Sequence, residues 1–139
     1  MSYQFSIGCS LGNLKGIREF VRTSLRAHRV PEVEMSAVVL ALDEMCSNLM
    51  IHAHHCNPNH QLGLRIEVPT EGTLIFEIID EGNQFDINAF ATPELGNLIH
   101  EKRKGGLGIR LVKAIMDNVE YLQRDGKNVC RLTKTIHAS

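Results

Sequence analysis

TLIFEIIDEGNQFD, residues 73–86, is the stretch on which the fold turns. Leu74 to Asp80 is more continuously apolar than the alternating run before it, Leu62, Leu64, Ile66 and Val68, and Thr70 to Gly72 between them reads as a turn. The pair is a hairpin whose second strand is central. That strand ends in Asp80-Glu81-Gly82, so a carboxylate and a flexible backbone meet at the mouth of a sheet. The segment is open to two readings: a plain turn, or a buried acceptor aimed at an exocyclic amine with bare glycine backbone beside it.

Upstream, Tyr3, Phe5 and Ile7 alternate as a first strand, and Leu14, Ile17, Val21 and Leu25 recur at helical intervals with Lys15, Arg18, Arg22 and Arg26 between them. Pro31 suits the first turn of a second helix running to about His54. Within that helix Glu44, Asn48 and His52 stand at i, i+4 and i+8, one polar stripe in otherwise apolar sequence. The stripe is either a solvated face or a face turned to a ligand. A carboxylate suits general-base work, and an amide oxygen suits a hard divalent cation.

Downstream, residues 83–104 carry little periodicity apart from a short helix around 93–101, and a loop of this length in a small domain is more often functional than not. Lys104-Gly105-Gly106-Leu107-Gly108 then precedes a helix over Leu107 to Met116. These glycines are a hinge or an opened helix N-terminus for an anion, with Lys102, Arg103 and Lys104 as nearby cations. Neither GxxxxGK[ST] nor GxGxxG is present. Val119 to Gln123 and Val129 to Ile136 flank Asp125-Gly126, a hairpin turn signal. The order β-α-α-β-β-loop-α-β-β predicts one domain over 1–139, a two-layer α/β sandwich with a mixed sheet and helices on one face.

Composition narrows the function. Fifteen Lys and Arg against sixteen Asp and Glu give a formal net charge of −1, so no global field draws nucleic acid or an anionic membrane. Any phosphate site must be local. Four cysteines without a CxxC pair read as reduced core residues of a cytoplasmic protein, and no run of 18 apolar residues predicts a membrane span. His52, His54, His55, Cys56 and His60 invite a zinc reading, but their spacing is not that of paired ligands, and Asn57-Pro58 reads as a surface turn.

In order and content, EMCSNLMIHA, DEGNQFD and KGGLG resemble the N, G1 and G2 boxes of the Bergerat-type ATP-binding fold of histidine kinases, gyrase, Hsp90 and MutL-type proteins. Within that superfamily the chain is most similar to the small bacterial serine kinases that act as anti-sigma factors in partner-switching pathways. The resemblance implies ATP and Mg²⁺ as cofactors. It implies that Glu44 activates the attacking hydroxyl, that Asn48 binds Mg²⁺, and that Asp80 accepts from the adenine amine while Gly82 gives the ring room. Gly106, Leu107 and Gly108 match the glycine-rich segment along the phosphates, Lys104 with Arg103 beside it a cation near the γ-phosphate, residues 85–104 a lid, and Thr133 a threonine at the adenine edge. Implied partners are a STAS-type anti-anti-sigma protein as phosphoacceptor, a sigma factor or similar regulator as sequestered target, and a PP2C-like phosphatase that resets the antagonist; a homodimer is allowed. Nucleic acid and membrane are not among them. The rival readings are a non-catalytic ATP-binding module acting by stoichiometric binding, and a histidine kinase catalytic part, for which the chain is too short to hold a dimerisation hairpin as well.

Overall fold

The computed structural model describes residues 1–53, 59–81 and 103–136. Gly82, His54, His55, Cys56 and the expected lid up to residue 102 lie outside the described residues. Five strands form one sheet: β1 (Ser2–Gly8), β2 (Gln61–Thr70), β3 (Thr73–Glu81), β4 (Asn118–Arg124) and β5 (Lys127–Thr135), in the order β1-β2-β3-β5-β4. Among the described residues three α-helices pack on one face: α1 (Leu14–Leu25), α2 (Glu32–Asn48) and α3 (Arg103–Ile115). The two-layer sandwich is as the sequence predicts, but the mixed sheet is corrected, because all four strand pairings are antiparallel. The chain crosses from β3 through α3 to β4, which runs parallel to β3. β5 then returns between the two and hydrogen-bonds to both, so no parallel pair is adjacent.

The alternation of side chains sorts each strand into two faces. Leu62, Leu64, Ile66 and Val68 of β2, Leu74, Phe76 and Ile78 of β3, and Cys130 and Leu132 of β5 are buried against Ile17, Val21 and Leu25 of α1 and Val38, Leu42, Met45 and Leu49 of the second helix and its extension. Fully burying one such side chain is worth about 1.5–3 kcal/mol, so this layer is the main source of stability. At the sheet edge, Phe5 of β1 stacks on Phe20 of α1 with ring centroids 4.9 Å apart.

Turn chemistry sets the connections. After α1 and a short 3₁₀ turn (Arg26–His28), Arg29 takes a left-handed φ of 55° and the chain reverses into α2, where Glu32 and Glu34 lie in the first turn, favourable to the helix dipole. Pro31 itself sits at the N-cap rather than inside the helix. Asp125 and Gly126, at φ 55° and 76°, form the two-residue loop between β4 and β5, with both centres left-handed as a primed turn requires. α2 ends at Asn48, short of the expected His54, and the chain widens into a π-helical turn over Leu49–Ala53. Such widened turns are frequent beside functional sites.

Candidate functional site

Asp80 takes the next core-facing position of β3 after Leu74, Phe76 and Ile78, and it is 0% exposed. A carboxylate placed among apolar side chains is costly unless the surroundings or a ligand meet it with hydrogen bonds. Its cross-strand neighbours are Leu62 in β2 and Asn128 in β5.

Chain direction decides what else comes to this end of the sandwich. α2 leads through its π turn toward β2, which begins at Gln61, opposite Glu81. The C-terminal end of α2 therefore lies at the Asp80 end. α3 runs into β4, whose first residue, Asn118, pairs with Thr133, which in turn pairs with Ile75 at the opposite end of β3. Asp117 clamps that far junction, its Oδ2 accepting from the Thr135 amide at 2.6 Å. A helix of 13 residues spans about 20 Å, enough to return the N-terminus of α3 to the Asp80 end. Asp80, the Glu44–Asn48 turn of α2 and the start of α3 thus gather at one end.

In α2, Asn48 is 3% exposed and Glu44 half-buried. The Nδ2 of Asn48 donates to the backbone carbonyl of Glu44 at 2.8 Å. Only the NH₂ end of an amide can donate to a carbonyl, so this bond fixes the rotamer and commits Oδ1 as the acceptor directed elsewhere. Asp43 accepts from Arg18 of α1 at 2.7 Å. At about 100° per residue, Asn48 lies about 140° round the helix from Asp43, away from the α1 flank.

The start of α3 departs from expectation. The helix begins at Arg103, so Lys104, Gly106, Leu107 and Gly108 lie inside its first two turns rather than before them. The orphan backbone N–H groups of its first turn, through Gly105, have no intrahelical acceptor and carry the positive end of the dipole. The Gly106 and Gly108 amides fall beyond that set.

Thr133 is not brought to the site. It is five register positions from Asn128 along β5, about 17 Å at strand spacing, and odd-numbered, so it faces away from the helices while Asp80 faces them. Asn128 is the β5 residue directly opposite Asp80, on the same face and 4% exposed. The available signal was Asp125-Gly126, since a two-residue loop pairs Arg124 with Lys127 and hence Gln123 with Asn128. The pairing of β5 with β3 had no signal in the sequence.

Three cysteines underlie this region. Cys9, Cys46 and Cys130 are buried. Burial pushes the Cys46 thiol up, with Cys130, Asp43 and Cys9 adding to it, and burial pushes Cys130 up to about 12. Such thiols stay protonated and unreactive at neutral pH. Among the described residues no helix is long and apolar enough to cross a membrane.

Known proteins are similar to this chain in sequence and in fold. The chain is 29% identical over 103 residues to the serine/threonine-protein kinase BtrW of Bordetella bronchiseptica, covering 73% of this chain and 70% of that protein. It is 28% identical over 109 residues to the serine-protein kinase RsbW of Bacillus subtilis, covering 75% and 66%. In fold it is similar to the structure of the RsbU and RsbW domains of Rv1364c from Mycobacterium tuberculosis, with TM-score 0.67 at 12% identity, over 98% of this chain and 32% of that one. It is also similar to a chain of the SiaB–SiaC complex from Pseudomonas aeruginosa, with TM-score 0.61 at 19% identity, over 96% and 89%. The family model of the histidine kinase-like ATPase domain matches residues 9–134, nearly the whole chain, and the protein belongs to that family.

Proposed function

We propose that this protein is an ATP- and Mg²⁺-dependent serine/threonine protein kinase acting as an anti-sigma regulatory factor, with a STAS-type antagonist as phosphoacceptor and a sigma factor or similar regulator as the partner it sequesters. The observation that carries the reading is the gathering of Asp80, Asn48, Glu44 and the α3 N-terminus at one end of the sandwich. Its similarity to named serine-protein kinases supports it.

The donor set fits the groups involved. Asp80 offers a buried acceptor for the exocyclic amine of adenine. Asn48 Oδ1, fixed by its own Nδ2 bond, is a hard oxygen of the kind Mg²⁺ takes. Mg²⁺, when bound with ATP, neutralises charge on the phosphates. The free amides at the start of α3 offer donors to the polyphosphate, with Lys104 and Arg103 in the same turn supplying positive charge. Glu44, half-buried and one turn from Asn48, takes the proton of the attacking serine or threonine hydroxyl. The hydroxyl oxygen bonds to the γ-phosphorus as the bond to the β–γ bridging oxygen breaks, and ADP leaves.

The test pairs binding with chemistry. Glu44→Gln keeps size and hydrogen-bonding capacity, so ATP affinity should stay near wild type while transfer to the STAS-type protein encoded beside it slows about a hundredfold or more, the scale for a lost general base. The assay is acid-stable label from γ-labelled ATP on that protein. Transfer by Glu44→Gln at the wild-type rate removes Glu44 from the mechanism. Absence of transfer by the wild type, with ATP bound, leaves a stoichiometric nucleotide-gated binder.

A further inference from the structure

α2 is the middle helix of the layer, with α1 packed on one flank and α3 on the other. Such a helix normally turns polar side chains outward. α2 instead keeps apolar ones on its outward side: Val33 is 82% exposed and Leu40 44%. At about 100° per residue, Val33, Ala37, Leu40, Glu44 and Ser47 fall within about 80° of one another round the helix. Glu44 therefore stands on the same stripe, one turn beyond Leu40, and Ile51 is exposed in the π turn that follows. One exposed apolar residue needs no explanation, but a stripe rimmed by polar groups marks an interaction surface.

Charge separates Glu44 from the other acids of α2. Arg22 and Arg18 of α1 take Glu32 and Asp43, and Lys134 of β5 takes Glu34. Glu44 has no ion pair among the described residues. On the flanking helices Lys15 of α1 and Arg110 and Lys113 of α3 are exposed, and they too are unpaired among the described residues. The surface is an apolar stripe with a proton acceptor in line and free cations to either side.

We infer that this face of α2 is the docking surface for the phosphoacceptor protein, which covers Leu40 and Val33 with an apolar patch, presents its hydroxyl to Glu44 and carries acidic residues round that patch. The inference rests on the reading of Glu44 as the base that takes the acceptor's proton. Proton transfer needs the hydroxyl within about 2.6–3.2 Å of the carboxylate. Leu40 is only about 6 Å from Glu44 along the axis, so a folded protein that delivers a hydroxyl there also lies over Leu40. Val33, about 16 Å away, is within the span of a standard interface of about 800 Å² a side. A second copy of this chain fits worse, because both flanks of the stripe are basic and any pairing of the two faces sets like charges together.

The test uses the full chain and the STAS-type protein of the labelling assay, with calorimetry of the two proteins beside it. Leu40→Glu should raise the KM for the acceptor about tenfold or more, the scale of one lost interface anchor, while kcat at saturating acceptor and ATP affinity stay within about twofold. Val33→Glu should raise it less. The double variant Arg110→Glu, Lys113→Glu should weaken acceptor binding about fivefold and flatten its dependence on salt.

An acceptor KM within about twofold of wild type in Leu40→Glu overturns this surface and leaves the kinase reading standing. If that variant fails to fold, Val33→Glu takes its place, since an acid in the first turn suits the helix dipole: acceptor affinity unchanged there, with salt dependence unchanged in the double variant, overturns the surface. Loss of self-association in Leu40→Glu with acceptor affinity kept assigns the face to a second copy and overturns it as well. A wild type that binds ATP but neither binds nor labels the STAS-type protein overturns the kinase reading and this surface together.

Discussion

Glu77 and Asp80 are buried carboxylates three residues apart on β3, on opposite faces, and the structure assigns them opposite consequences. Glu77 is 1% exposed on the face without helices. Arg124 donates to it twice, at 2.8 and 3.1 Å, and Arg131 twice, at 2.8 and 3.0 Å, with Arg65 3.8 Å away. Arg65 and Arg131 are its direct cross-strand partners. Replacing Glu77 by Gln removes the carboxylate that Arg124 and Arg131 share, while Arg65 keeps Glu67 at 3.3 Å, and sets an amide N–H against their donors. Breaking a fully buried pair from one side costs about 3–5 kcal/mol. Here the arginine side chains are 34–38% exposed, water screens them, and about 1–2 kcal/mol remains. For a chain of 139 residues that is a drop in Tm of about 3–8 °C. The Arg124 hydrogen bonds, seconded by Arg131, hold the Glu77 carboxyl below its ordinary 4.5 against the opposing effect of burial. A depressed carboxylate contributes stability above its unfolded value and loses it as pH falls through the folded one. Melting followed by circular dichroism should therefore show the full deficit of Glu77→Gln at pH 7, shrinking only below about pH 4.5, with ATP affinity of the folded variant unchanged. A variant melting within a degree of wild type at pH 7, or a deficit undiminished at pH 3, refutes the reasoning.

Asp80→Asn should do the reverse, keeping the melting temperature while losing about 2–4 kcal/mol of ATP affinity by calorimetry, because an amide presents an amine to the adenine amine. Asn48→Ala should weaken Mg²⁺-ATP more than metal-free ATP; equal losses would make its role structural. Gly126→Ala, placed at φ 76°, should destabilise the β4–β5 hairpin by about 1 kcal/mol in urea titration without altering ATP affinity.

Periodicity made the elements legible. The strands around Phe5, Ile66, Phe76, Tyr121 and Leu132 and the α1 stripe of Ile17, Val21 and Leu25 all lie where their spacing puts them. Glu44 and Asn48 were legible too, because i, i+4 spacing survives whatever packs around a helix. Pairing was not. Nothing local tells β5 to insert between β3 and β4, so a β-α-β crossover read as mixed pairing, and Thr133 was placed by its resemblance to a threonine of the last strand. Register overrules such an assignment, since a residue one step out of phase stands on the other face of the sheet. Asn128 was invisible for the same reason: its meaning comes from what it opposes.

The same period of two explains how one strand serves stability and chemistry together. On the outer face, Gln4, Arg65, Glu77, Arg131 and Glu120 are successive partners across all five strands, a ladder that alternates in charge after its first member. On the inner face, three positions further along, Asp80, Asn128 and Gln123 cross only β3, β5 and β4. Both rows run through β5, and the two-residue loop at Asp125-Gly126 sets the phase of β5 against β4. Deleting one residue from that loop would turn Gln123 and Glu120 to the wrong faces at once, breaking the bond that Gln123 Nε2 donates to Asn128 Oδ1 at 3.1 Å inside and ending the charge ladder outside. The length of that turn, rather than any side chain in it, therefore keeps both rows in phase, although the turn lies at the rim of the sheet.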